Sequence, residues 1–356
     1  MTQETNNIAR FSLAPDYEIS RVIRGNWQLA GGHGAIDVAE QIEDLIAFAD
    51  AGITTFDCAD IYTGVEEIIG KFRAEYRNQR GEEALSKIRV HTKCVPDLDK
   101  LETLTRDQLQ ETIDRSRTRL GVERLDLVQF HWWDYTADSW LQAGMWLEEF
   151  RKEGRINFVS GTNFDTDHVS ALLDAGVPLR TMQVQYSLLD RRPEKRMAAL
   201  AAEKGLNFLC YGTVAGGFLS DRWLGVEKPE GALENRSLVK YWLIIEDFGG
   251  WDVFQALLRE LRAIADAHET DIATVASAAV LARPLVAGVI VGARNRSHLA
   301  SNLAISSLQL SEDELARIEA VLAEGKELEG DVYTLERDRN GRHGSIMKYN
   351  LNDDKD

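Results

Sequence analysis

The chain has 356 residues, is 44% hydrophobic and 28% charged, and sets 58 acidic against 41 basic side chains for a formal net charge of −17. That composition excludes a disordered or low-complexity class and supplies enough apolar material for a large core. A surface this negative repels nucleic acid and anionic lipid, so neither is an expected partner.

The first residues, MTQETNNIARFSL, lack the basic, then apolar, then small-residue order of a secretion signal. No stretch approaches the roughly 18 apolar residues of a membrane helix. The expectation is a soluble, cytoplasmic protein. Residues 8–19 (IARFSLAPDYEI) read as a hairpin turning at Pro15 and Asp16. Short apolar runs then begin near Arg21, Ile53, Ile88, Leu125, Ile156, Leu179, Leu206 and Val286. Each is followed by a helical pattern, and the first six steps have the length of one βαβ unit, about 30 residues. Thr105 with Gln108 forms a capping box ahead of Leu109, Ile113 and Leu120; Ser311 with Glu314 does the same ahead of Leu315, Ile318 and Leu322. Cys58, Cys94 and Cys210 each follow a strand-like run and read as small buried side chains, since an odd, sparse set without CxxC makes neither a disulfide framework nor a zinc ribbon.

Eight strands alternating with helices predict an α/β fold of the closed (β/α)8 TIM-barrel type, as one domain over residues 1–356. An open dinucleotide-binding sheet would need GxGxxG after an early strand, which is missing, as is a GxxxxGK[ST] loop. Residues 219–251 form a long insertion after the seventh strand, with Trp223, Trp242, Trp251, Gly249 and Gly250. It reads either as a functional lid carrying Trp223 and Trp251 or as a helical subdomain packed on the barrel. The C-terminal extension, 330–356, is charged and reads as partly loose, with Tyr333, Met347 and Tyr349 able to dock.

Strand residues alternate faces. If Phe56, Val90, Val128 and Phe130 pack outward against helices, then Asp57, Lys93 and His131 point into the barrel mouth from the ends of their strands, where such barrels keep their chemistry. A buried aspartate and lysine are costly unless paired. Tyr62, five residues past Asp57, can fold back over the same mouth, and an ammonium beside it favours phenolate. That is the requirement for a general acid near neutral pH. His131 is placed to hydrogen-bond and orient a carbonyl oxygen. A plain core salt bridge and a satisfied core histidine are the alternatives.

Phe56-Asp57-Cys58-Ala59-Asp60-Ile61-Tyr62, His91-Thr92-Lys93 and Gln129-Phe130-His131-Trp132 together resemble the aldo-keto reductase superfamily, over about Ser20 to Asn302. The resemblance implies a barrel that binds a nicotinamide cofactor without a Rossmann fold. It makes Tyr62 the general acid, Lys93 its pKa-lowering neighbour, Asp57 the partner of that lysine and His131 the carbonyl orienter. Cofactor contacts implied by it are Gly25, Asn26 and Trp27 at the first strand end, Asp57, Thr162 and Asn163 in the stretch Gly161-Thr162-Asn163-Phe164, and Gln183 on the nicotinamide carboxamide. Tyr211 would stack on the nicotinamide ring. Gly212, Thr213, Ala215, Gly217 and Leu219 would form a loop whose backbone amides approach the pyrophosphate. Gly292, Arg294, His298 and Asn302 resemble the adenosine-phosphate site, with glycine where many members have lysine. Arg294 then suits a 2′-phosphate, which favours NADPH (NADP+) over NADH.

Trp27, Trp132, Trp133 and Tyr135 are expected to rim the mouth, with Trp27, Tyr62, His131, Trp132 and Trp133 as substrate contacts. His33, in the turn Gly31-Gly32-His33-Gly34, is a further residue able to reach a substrate hydroxyl. No metal site is expected, because the seven histidines are dispersed without HExxH or paired Cys/His spacing. The leading expectation is an NADPH-dependent oxidoreductase acting on an aldehyde, ketone or sugar carbonyl of a small molecule. An NAD(P)-dependent sugar or alcohol dehydrogenase, and a cofactor-binding regulatory protein of the channel β-subunit kind, stand as alternatives. The sequence does not specify an oligomeric state.

Overall fold

A computed structural model describes residues 8–30, 36–231 and 233–352. The turn holding His33 lies outside them. Eight parallel strands close into a barrel: β3 (Val22–Gly25), β4 (Thr55–Asp57), β5 (Arg89–Cys94), β6 (Leu125–Phe130), β7 (Ile156–Thr162), β8 (Thr181–Gln185), β9 (Asn207–Tyr211) and β10 (Val286–Gly292), with β10 pairing back onto β3. The fold is a (β/α)8 TIM barrel. All eight strand expectations coincide with barrel strands.

The two periodicities explain the layers. Phe56, Val90, Val128 and Phe130 face outward into a core shared with the surrounding helices. Inward-facing Ile23, Leu127, Leu209 and Ala287 instead meet Leu13, Tyr17 and Ile19 from a hairpin. That hairpin, β1 (Arg10–Ala14) with β2 (Tyr17–Ser20), turns at Pro15 and Asp16 and plugs the N-terminal end of the barrel. The Tyr17 ring packs edge-on against Phe158 at 4.8 Å, and its hydroxyl meets His91 Nε2 at 3.2 Å. Burial holds the His91 imidazole neutral, down to about 4. With the floor apolar, the polar inward positions concentrate at the other end, where the strands terminate.

The helices start and stop by local chemistry. Thr105 and Gln108 close a capping box on α3 (Arg106–Leu120), and Gly121 ends it at φ 65°, the left-handed conformation that glycine adopts without a Cβ clash. Ser311 and Glu314 close another on α11 (Glu312–Leu322). The three cysteines are buried and unbridged, and burial raises each thiol. Among the described residues no helix is long and apolar enough to cross a membrane.

The insertion resolves in favour of packing. It holds a short turn, Asp221–Trp223, and the helix α7 (Arg236–Phe248), followed by α8 (Trp251–Ala267). Trp223 lies 4.7 Å from Phe218, Trp251 lies 4.9 Å from Phe254, and Trp242 lies 5.4 Å from Trp251. Trp223 and Trp251 are buried in this second core.

The tail is also docked rather than loose through residue 352. Glu336 accepts two hydrogen bonds from Arg192, both at 3.0 Å, and neither side chain reaches solvent. Arg337 donates to the carbonyls of Trp132 (2.7 Å) and Asn163 (3.1 Å). His343 pairs with Asp247 of α7 at 2.7 Å, and Tyr349 packs edge-on against Trp133 at 5.2 Å. An ion pair buried this completely holds a segment that hydrophobic periodicity alone would leave free.

Candidate active site

The strand ends bring Asp57, Lys93 and Gln129 together. Lys93 Nζ donates to Asp57 Oδ2 at 2.6 Å and to the Cys58 carbonyl at 2.9 Å. Asp57 Oδ1 accepts from Gln129 Nε2 at 2.9 Å and Gln183 Nε2 at 2.6 Å. The carboxylate thus has an ammonium on one oxygen and two amides on the other, the full pairing that a buried charge needs. Burial on its own lowers the Lys93 ammonium, but Asp57 and Tyr62 more than offset it and hold it above its ordinary value.

Tyr62 comes from the loop between β4 and α2 (Val65–Leu85). Lys93 Nζ lies 5.0 Å from its ring centre, and Trp27 packs edge-on against it at 4.9 Å. Burial raises the phenol, and Lys93 opposes that rise only in part, so Tyr62 sits above its ordinary value. The expected lowering by the lysine is present, but desolvation outweighs it.

His131 follows β6, next to Trp133 with ring centres 4.3 Å apart. Burial and the nearby Arg337 charge lower its pKa to about 3, so the ring is neutral in ordinary buffers. Its Nδ1 lies 3.1 Å from the Thr162 carbonyl. A carbonyl only accepts, so Nδ1 carries the proton and Nε2 presents a lone pair. That Nε2 is buried and has no partner among the described residues. The carbonyl-orienting role implied by the resemblance would use the other tautomer, with the proton on Nε2.

Several implied cofactor contacts are already engaged. Gln183 donates to Asp57 and its oxygen accepts from Thr162 Oγ1 at 3.3 Å, so both ends of the amide serve the network. Asn26 Nδ2 ties the carbonyls of Arg24 and Asp57 together (3.1 and 2.9 Å) and so joins β3 to β4. Tyr211 Oη donates to Asn163 Oδ1 at 2.9 Å. Gly25 sits so close to β10 that a Cβ there meets Ile290 Cγ2 at 2.9 Å.

In the loop after β9, the amides of Ala215, Gly217 and Leu219 bond to the carbonyls of Gly212, Val214 and Val214. Thr213 Oγ1 bonds Ser277 at 3.0 Å. These three amides are used within the turn. Tyr241 of α7 lies over the same loop: a Cβ on Gly212 meets its hydroxyl oxygen at 2.3 Å, and one on Gly216 meets its ring carbon Cδ2 at 2.5 Å.

At the end of β10, Gly292 is covered by Gln28, whose Nε2 stands 2.1 Å from where a Cβ would be. The Arg294 carbonyl accepts from Gln41 at 3.3 Å, and Arg294 and His298 are exposed. Arg296 pairs with Asp44 (2.7 Å) and Glu43 (3.2 Å) of α1 (Val38–Asp50), which anchors the loop. Asn302 is buried, and its Nδ2 has no partner among the described residues.

At the strand ends Trp27 packs against Tyr62 and His131 against Trp133, with Trp27 46% exposed. Trp132 does not join them. It is fully buried, and its indole N–H donates to the carbonyls of Asp134 and Ala137, both at 3.0 Å. With His131 facing inward, strand alternation turns the next residue out toward the helices, which was the available signal. Sequence reasoning also missed Gln129, whose inward parity between Leu127 and His131 marked it. It missed Arg192, Glu336, Arg337 and Tyr241, for which no local pattern gave a signal.

The chain matches the Aldo/keto reductase family over residues 21–323. It is 26% identical over 294 residues to the flagellar radial spoke protein 5 of Chlamydomonas reinhardtii, covering 66% of this chain and 55% of that one, so it spans about half the length of that relative. It is 25% identical over 319 residues to the NADH-specific methylglyoxal reductase of Escherichia coli, covering 83% and 93% of the two chains. The glycerol dehydrogenase structure from Gluconobacter oxydans superposes with a TM-score of 0.73 at 21% identity, covering 92% of this chain and 98% of that one, and shows the fold. With a profile match across most of its length, the chain belongs to the aldo/keto reductase family.

Proposed function

We propose that this protein reduces the carbonyl group of a small molecule with NADPH, with Tyr62 as the proton donor. The carrying observation is the arrangement of Tyr62 beside Lys93, itself paired with Asp57, at one end of the barrel. The residues present fit a nicotinamide dinucleotide. Asn302 Nδ2, beyond β10, and His131 Nε2, beyond β6, are buried polar atoms without partners among the described residues. Such groups await a ligand or water. The bound cofactor supplies a hydride to the carbonyl carbon.

Each side chain then has a proton or a charge to manage. Tyr62, raised by burial, stays protonated at neutral pH, the state a donor needs. The Lys93 ammonium stabilises the phenolate left after transfer. Asp57 fixes that ammonium, and Gln129 and Gln183 fix Asp57. The nascent alcohol O–H donates to the His131 Nε2 lone pair, so His131 holds the reduced product rather than the carbonyl. Trp27 and Trp133 wall the mouth.

The lone pair on His131 equally suits a hydroxyl substrate, which favours a second reading: oxidation of an alcohol or sugar by NAD(P)+ in the same site. NADPH is preferred to NADH because Arg294 is an exposed guanidinium at the end of β10, suited to a 2′-phosphate. The test is to supply NADPH deuterated at the transferring carbon with a panel of aldoses, α-keto aldehydes and aromatic aldehydes. Deuterium on the alcohol carbon supports the reading, and consumption of none of the panel with either nicotinamide overturns it.

A further inference from the structure

Lys240, on α7, places its ammonium among three tyrosine rings at the mouth. Nζ lies 5.2 Å from the ring centre of Tyr211, 5.5 Å from that of Tyr241 and 5.5 Å from that of Tyr333. It makes no hydrogen bond or ion pair among the described residues. The two nearest carboxylates are already claimed. Glu336 gives both oxygens to Arg192, at 3.0 Å each. Asp190 accepts from Arg192 at 2.9 and 2.7 Å and from Gln185 at 2.7 Å. Ring faces attract a cation but supply no lone pair for its three N–H donors. Burial accordingly lowers the Lys240 ammonium, opposed by Glu336.

Local charge points the same way. Around this corner Arg192 faces Asp190 and Glu336, and Arg337 faces Asp134, within a chain whose net charge is −17. Arg337 is spent on the Trp132 and Asn163 carbonyls and Arg192 on the two carboxylates. Of Arg192, Arg337 and Lys240, only Lys240 makes no direct hydrogen bond or ion pair among the described residues, though its charge also acts on Glu336. Tyr333 connects it to the reacting centre. The same ring stands edge-on to His131 at 5.7 Å and beneath Lys240. One aromatic ring therefore separates the ammonium from the imidazole.

We propose that Lys240 receives an anionic group on the carbonyl substrate, so that the enzyme selects aldehydes or ketones carrying a carboxylate or phosphate over neutral ones of the same shape. This rests on the carbonyl-reductase reading of the same site and adds the substrate class. The charge-assisted contact forms where water is partly excluded, and a negative molecular surface repels such substrates everywhere else.

A matched pair tests it: 4-carboxybenzaldehyde and 4-methylbenzaldehyde, with wild type, Lys240→Met and Lys240→Arg. The ratio of kcat/KM values is expected to favour the carboxylate at least tenfold in wild type, to collapse toward one in K240M, and to recover in part in K240R. A ratio that is near one in wild type, or that K240M leaves unchanged, overturns the proposal. Binding without turnover separates this from failure of the reductase reading. Tryptophan emission is titrated with the product-like 4-(hydroxymethyl)benzoate and with 4-methylbenzyl alcohol, on cofactor-loaded protein. Tighter binding of the benzoate that K240M abolishes supports the anion site even if neither aldehyde is reduced. Equal benzoate binding by wild type and K240M overturns it. So does a K240M defect that falls on NADPH affinity as heavily as on the benzoate, since the ammonium then serves the cofactor's phosphates.

Discussion

Tyr333 from the C-terminal segment stands at 89° to His131 from the end of β6, with ring centres 5.7 Å apart. The contact makes the tail a wall of the barrel mouth. Glu336, three residues on, is what anchors it to the barrel through Arg192. Burial alone raises the Glu336 carboxyl, but Arg192 and Lys240 outweigh it and bring it down to about 2.

That depression sets a pH window for tail docking. A carboxylate whose folded value lies below its unfolded value, about 4.3, stabilises fully above the latter and loses its contribution as pH falls toward about 2. Limited proteolysis is expected to release the tail faster below pH 4 in wild type. In Glu336→Gln it is expected to be released readily at neutral pH, with a smaller further change in acid. A tail equally resistant in E336Q and wild type would contradict the latch.

The protonation states predict a flat kinetic profile. Tyr62 is above its ordinary value and His131 is near 3, so neither titrates between pH 5 and 8. For reduction, kcat/KM is expected to hold level across that range and to fall only in the alkaline limb, where Tyr62 loses its proton. A half-maximal point near 6.5 would show a titrating imidazole and contradict the neutral His131.

Lys93 and Asp57 are expected to couple strongly. Either Lys93→Met or Asp57→Asn leaves a buried charge without its counter-ion at the 2.6 Å contact, and breaking such a pair costs about 3–5 kcal/mol. The double variant removes both charges and is expected to be more stable than the sum of the two losses. Urea unfolding of the four proteins measures the difference; simple additivity would contradict a paired network.

The barrel was legible because each strand is a short apolar run bounded by turns, and its parity alone points Asp57, Lys93 and His131 to one end. The same parity, carried one step further, turns Trp132 outward. The tail was not legible because Arg192 and Glu336 are charged residues far apart in the chain, which read as solvated until a fold buries them together. Nor did the pattern at Tyr62 show which of two opposing effects wins. The lysine beside it was inferable, but the depth of burial was not.

Arg294→Ala is expected to weaken NADPH at least tenfold, which is about 1.4 kcal/mol, and NADH much less. Fluorescence titration with both nucleotides measures it. Equal losses would detach Arg294 from the 2′-phosphate. They would also turn attention to Gln28, which covers Gly292.

The central claim is that the Tyr62 phenol supplies the proton. Tyr62→Phe removes one oxygen and keeps the ring against Trp27. Steady-state reduction of an accepted aldehyde by Y62F is expected to fall in kcat by about 10²–10⁴-fold, with NADPH still quenching tryptophan emission at wild-type affinity. Turnover within a few fold of wild type would contradict the mechanism.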